Sequence, residues 1–190
     1  MMKKQNIIIG IMILVVIAVI GILIGINKKG EKNTYNTNDM IKMVNTIYKD
    51  LEEELPSLET VAIDVRNMDE VTSYTGLQSN ENIESLVVSL PMMNAQAYSV
   101  AVVKVKETAD VEKLKQEMLD NIDMRRWICV SAEKLYITNS GNIIFLVMSS
   151  EDIAKPVYEG FKKYVNNQIG KELEKSNEEV IELPPEMTIE

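Results

Sequence analysis

Cys129, in Arg125-Arg126-Trp127-Ile128-Cys129-Val130, is the only thiol in the chain. A thiolate beside arginine can be a nucleophile, but the sequence holds no histidine to act as its base. A lone cysteine among apolar neighbours is expected to be buried and inert. The missing histidine also removes most zinc sites and Ser-His-Asp catalysis. Carboxylates remain. Asp64 with Asp69 and Glu70, or Asp120 with Asp123, could pair for acid–base work or for calcium. Among 29 acidic residues such pairs arise by chance, and none lies in an Asp-x-Asp-x-Asp-Gly loop. Ser131 and Lys134 could form a Ser-Lys dyad, yet they fall at an expected strand start. There is no Walker loop, GxGxxG or GxSxG. The expectation is no catalytic residue, no metal site and no cofactor.

Binding chemistry has more to work with. Arg125, Arg126 and Trp127 form a cationic-aromatic trio of the composition that anchors protein interfaces or anionic ligands. The competing reading has Trp127 closing the core while the arginines pair with local acids. Met92 and Met93, in Pro91-Met92-Met93-Asn94, either line an adaptable surface or fill gaps in the core. A net charge of −9 argues against a nucleic-acid partner.

The elements that must position these residues begin with residues 7–26, IIIGIMILVVIAVIGILIGI, which carry seventeen apolar side chains, three glycines and no charge. Twenty residues at about 1.5 Å each reach about 30 Å, a bilayer's hydrocarbon thickness. The run is too long for a cleavable signal, lacks a small-residue cleavage site and is followed by no lipid-accepting Cys. It reads as a retained single-pass anchor behind a tail of residues 1–6. Lysines flank both ends, so the positive-inside rule is nearly balanced. The basic N-terminal pair resembles a signal anchor, which leaves the C-terminal part outside. Residues 1–32 hold five Lys and one Glu, a net +4 that leaves −13 on residues 33–190 out of the chain's −9. So acidic a domain gains nothing from an anionic cytoplasmic leaflet. Gly21 and Gly25 form a GxxxG, a candidate contact for a weak dimer through the span.

Residues 27–37 read as a polar tether. An amphipathic helix follows on Met40, Ile41, Val44, Ile47, Tyr48, Leu51 and Leu55, capped by Thr37 or Asn38 and stopped by Pro56. Val61–Val65 alternates like a strand, and Met68–Thr75 reads as a short helix between Asn67 and Gly76. Ser85–Leu90 and Tyr98–Lys106 read as strands. A helix begins at Thr108 or Asp110. Ala132–Thr138 and Asn142–Met148 make a hairpin about Asn139-Ser140-Gly141, its second strand apolar on both faces and therefore central. Ser150 caps a last helix carrying Ile153, Val157, Phe161, Val165 and Ile169. From Lys171 the sequence turns acidic and reads as a frayed helix end and a disordered tail. The expected fold is α+β. A small, mostly antiparallel sheet of about four strands occupies residues 38–170 with helices over one face, and residues 171–190 form the tail.

Tyr74-Thr75-Gly76-Leu77, Pro91-Met92-Met93-Asn94, the Ala101–Lys106 strand, the helix start at Ala109–Lys113 and Ile144–Ser149 together resemble a family of small membrane-anchored proteins and lipoproteins of clostridia and related Gram-positive bacteria, a domain of unknown function. The resemblance spans roughly residues 40–168, and Pro-Met-Met-Asn is its most distinctive element. This chain lacks the lipobox Cys of the lipoprotein members and the insert many carry before the last hairpin. The resemblance implies an extracytoplasmic domain and supplies no activity. The expectation is therefore a non-enzymatic binding or interaction module of the cell envelope, with the membrane and another envelope protein as partners. The alternatives are a carboxylate-dependent hydrolase of the envelope and a cytoplasmic-facing regulatory domain.

Overall fold

The computed structural model describes residues 35–51, 55–93 and 96–177. The span expected at 7–26, its Gly21 and Gly25, and the end of the tail lie outside the described residues. Among the described residues no helix is long and apolar enough to cross a membrane.

The described elements run α1 (Thr37–Tyr48), β1 (Leu58–Ile63), α2 (Met68–Thr75), β2 (Ile83–Pro91), β3 (Ser99–Val105), α3 (Val111–Asn121), β4 (Lys134–Ser140), β5 (Ile143–Ser149), α4 (Glu151–Tyr164) and β6 (Leu173–Ser176). The strands form one sheet in the order β1-β2-β3-β5-β4-β6, with every neighbouring pair antiparallel. The protein is α+β, but the sheet has six strands rather than four, and helices cover both of its faces rather than one.

The reason lies in the inner strands. Leu86-Val87-Val88 in β2, Val100–Val103 in β3 and all of β5 are buried without interruption. Alternate residues of such strands point to opposite faces, so both faces need cover. Leu86, Val88, Ala101, Val103 and Leu146 pack with Val71 of α2 and with Leu114 and Met118 of α3. Val87, Val100, Val102, Phe145 and Val147 pack with Met40, Met43 and Val44 of α1 and with Val157 and Phe161 of α4. Each such side chain contributes about 1.5–3 kcal/mol by leaving water.

Helix α1 starts one residue before the expected caps. Asn36 Oδ1 accepts the Asp39 N–H (3.0 Å) and Asp39 Oδ2 accepts the Asn36 N–H (3.1 Å), a reciprocal capping box. The helix ends at Tyr48, well before Pro56. It runs alongside β2. Ser85 Oγ donates to Met40 Sδ (3.4 Å) near one end, and Tyr98 OH donates to Tyr48 OH (2.8 Å) near the other. The chain therefore enters the domain at the end of the sheet where β2 begins.

Helix α2 lies where its sequence places it. Asn67 Oδ1 accepts the Glu70 N–H, and Gly76 closes the helix at φ +76°. A Cβ on Gly76 would come within 2.8 Å of the Ile122 backbone nitrogen, so α2 and the end of α3 meet only because this residue is glycine. The β4–β5 hairpin turns on Gly141 and Asn142, between the paired Ser140 and Ile143, with Gly141 at φ +56°.

Helix α4 begins after Ser150 as expected, but its first turn is held differently and it ends sooner. Ser150 makes no side-chain cap; Glu133 Oε2 accepts the Glu151 N–H instead (3.1 Å). Asn166 and Asn167, at φ +54° and +57°, turn the chain out of the helix and leave Ile169 beyond it. The segment expected to begin a disordered tail returns as β6 against β4. Two lysines of opposite origin fasten it. Lys115 of α3, with a fully buried side chain, donates to the Lys171 carbonyl (2.6 Å) and pairs with Glu112 (2.8 Å). Lys175 of β6 donates to the Leu119 carbonyl (3.1 Å). The Asn177 N–H bonds the Glu133 carbonyl (2.9 Å), so β6 ends at the side of the sheet opposite Tyr35.

Candidate functional site

Three large apolar side chains among the described residues are exposed: Met92 at 70%, Met93 at 76% and Ile128 at 82%. The fold delivers all three to one end of the sheet. Pro91, which has no N–H to give, ends β2. The next residue, Met92, donates its N–H to the Ser57 carbonyl (2.9 Å), beside Pro56. Ile128 projects from the connection between α3 and β4. At the same end of the sheet lies a hollow of about 230 Å³, lined by Pro56, Ala97, Tyr98, Val130 and Ile153 together with the polar Gln96, Ser131, Ser149 and Ser150; the three exposed side chains are not part of its wall.

The α3–β4 connection is held by its own residues. Met124 is buried, and its carbonyl accepts the Ala132 N–H (2.8 Å), closing a loop over 124–132. Within that loop the Arg126 guanidinium lies 4.8 Å from the Tyr74 ring centroid and 5.0 Å from that of Trp127. It donates to the Ser73 carbonyl (2.8 Å) and to Ser99 Oγ (3.4 Å). Burial lowers its pKa, and the interactions with Tyr74 and Asp123 push the other way. Trp127 packs half-buried against the core beneath α2 and α3. With Arg126 and Trp127 turned inward, the next two residues face out. Cys129 is exposed, not buried, and sits at φ +64°, a left-handed backbone seldom taken by residues other than glycine.

The cationic-aromatic trio therefore does not act as one surface. Arg126 and Trp127 are engaged inside the fold, while Arg125 is exposed with its N–H on Asp123 Oδ1 (2.9 Å). Met92 and Met93 lie at the surface rather than in the core. Ile128 is the member that sequence reasoning missed, because nothing in an apolar stretch marks which residue will be left outside when its neighbours turn in.

The carboxylates considered for chemistry are dispersed. Asp64 is gripped by Arg66 through Nε–Oδ1 (2.9 Å) and Nη2–Oδ2 (2.7 Å), and hydrogen bonding to this guanidinium holds its pKa down at about 2. Asp69 and Glu70 occupy the first turn of α2, where a helix N-terminus favours acids. Asp120 accepts from Gln116, and Asp123 accepts from Arg125. Among the described residues no three acidic or thiol groups are grouped to hold a metal ion. Ser131 lines the hollow beside Val130, whereas Lys134 lines a different one.

No family model, curated protein or solved structure matches this chain. What the site can do follows from its surface: two flexible thioethers and one isoleucine exposed to water at one end of the sheet can release that water onto a complementary apolar segment.

Proposed function

We propose that this chain is a membrane-tethered, non-enzymatic binding module of the cell envelope, which docks an apolar segment of a partner protein at the end of the sheet bearing Met92, Met93 and Ile128. The observation that carries the reading is the exposure of these three side chains at one end of the sheet, when the rest of the described surface exposes no other large hydrophobic residue. Met supplies the adaptability expected of a docking surface, and a rigid rim comes from the Arg126 stack behind Ile128. The apolar run at 7–26 supports the tether, and the excess of acid beyond residue 32 supports an extracytoplasmic domain. A general acid needs a carboxyl raised toward neutrality. Among the described residues the two carboxyls that shift, Asp64 and Glu172, both move down, held by hydrogen bonds from Arg66 and Tyr158 respectively.

The exposed sole thiol makes the test direct. Cys129 in the full chain is labelled on intact protoplasts with a membrane-impermeant maleimide, and then with a thiol-linked photocrosslinker. Labelling without lysis, together with a crosslinked protein that is lost in M92S/M93S/I128S but kept in the distant variant E81Q, is the expected result. Labelling that requires lysis overturns the orientation. Identical crosslinking with and without the three apolar side chains overturns the docking site.

A further inference from the structure

A second hollow, of about 460 Å³, lies where α4 overhangs the β4–β6 edge. Tyr136 of β4 forms part of its wall. The Tyr136 ring stacks on Tyr158 of α4, with centroids 5.0 Å apart and planes at 23°. The residue is only 8% exposed. The Tyr158 hydroxyl donates to Glu172 Oε2 (2.7 Å), but the Tyr136 hydroxyl, which borders the hollow, has no hydrogen-bond partner among the described residues. The ring is buried while the hydroxyl oxygen reaches the open space of the hollow, so it is a fixed polar atom accessible to a ligand.

Glu174 is the cross-strand neighbour of Tyr136 on β6 and shares its face. Glu151 begins α4 and lines the same hollow. Neither is in an ion pair among the described residues, whereas Glu159 and Glu172 are both tied to Lys162 at 3.2 Å. Burial raises the Tyr136 pKa, and the charges of Glu151, Glu174 and Glu159 raise it further, which places these carboxylates within electrostatic reach of the phenol. Lys134 and Lys155 line the hollow too, again without an ion pair among the described residues. Unpaired acceptors and unpaired cations thus face one space.

A primary ammonium carries three N–H donors and no acceptor. We infer that this hollow binds a small zwitterion of the amino acid or short-peptide class, its ammonium donating to Tyr136 Oη, Glu151 and Glu174 and its carboxylate facing Lys134 and Lys155. Tyr136 is the selective element. Its oxygen distinguishes a group that can donate a hydrogen bond from one that only carries charge.

Glycylglycine is the probe, titrated by NMR into the full chain, with its N-trimethylated form as comparator. The two carry the same charges, but only the first has N–H donors. The expected result is saturable binding that perturbs the Tyr136 and Tyr158 ring signals and falls about tenfold for the trimethylated form. Tyr136→Phe keeps the stack and removes the acceptor, and Glu174→Gln removes a carboxylate from an exposed strand position. Each is expected to weaken binding about tenfold, whereas Glu81→Gln leaves it unchanged. No saturable binding, equal binding of the trimethylated probe, or equal loss in all three variants overturns the inference. If Tyr136→Phe disturbs the fold, Glu174→Gln decides alone.

Discussion

Gly160 of α4 meets Ile47 of α1 so closely that a Cβ on the glycine would lie 2.7 Å from Ile47 Cγ2. The two helices share one core and approach at this point because one of them presents no side chain. Alanine would gain about 1 kcal/mol in helix propensity. However, the methyl it meets sits on a β-branched carbon whose rotamer a helix fixes, and overpacking costs about 1–3 kcal/mol. The overlap wins. Gly160→Ala is expected to lose roughly 1–2 kcal/mol in urea unfolding, and adding Ile47→Leu, which removes that branch, restores most of it. Additive losses in the double variant would contradict the contact.

Arg126 joins the end of α2 to the α3–β4 loop by lying against two rings and donating to the Ser73 carbonyl. Lysine keeps the charge and discards the planar fork. Arg126→Lys is expected to cost about 1–2 kcal/mol. It should also shift the emission of Trp127, the only tryptophan in the chain. An unchanged spectrum would mean that the stack does not hold the loop.

Lys115 is expected to matter for a strand it does not belong to. Its Nζ reaches the Lys171 carbonyl at 2.6 Å from a fully buried side chain. Truncation in Lys115→Ala removes a charge-assisted bond and the packing of a long stem. A loss of about 2–4 kcal/mol follows, and the amides of Leu173–Ser176 should lose protection from hydrogen exchange before those of β5. Uniform loss across the sheet would refute the link.

The Tyr98–Tyr48 pair sets an alkaline limit. Burial pushes Tyr48 up to about 12 and also raises Tyr98. A raised folded-state value favours the neutral phenol, so this stabilisation is complete below the unfolded value of about 10 and is lost as pH rises toward 12. Stability measured by denaturant is expected to fall across that window. In Tyr98→Phe the fall is shallower, and stability at neutral pH is lower by about 1 kcal/mol. An identical alkaline slope in both proteins would exclude the pair as its source.

How much of this was legible follows the range of the interactions. The ends of α2 could be read because Asn67 and Gly76 act on their own helix, and the hairpin because Gly141 acts on its own turn. The second helical layer was also visible in principle. Leu86-Val87-Val88 and Val100–Val103 are apolar without alternation, which is the mark of strands covered on both faces. Strand β6 was not legible, since Leu173-Glu174-Lys175-Ser176 has one apolar residue and owes its place to lysine–carbonyl bonds across 56 positions of sequence. The same applies to the Glu133 cap on α4 and to the outward turn of Ile128 and Cys129, which Arg126 imposes through contacts with Tyr74 and Ser73.

The directions in which the chain enters and leaves the domain have a mechanical consequence. Tyr35 lies at the end of the sheet where β2 begins, and β6 ends at the other. Tension between the two would run along the strands, and the ladder bonds lie across them. The pairing of β6 with β4 would then be loaded in shear, with all four residue pairs sharing the force at once instead of opening one after another.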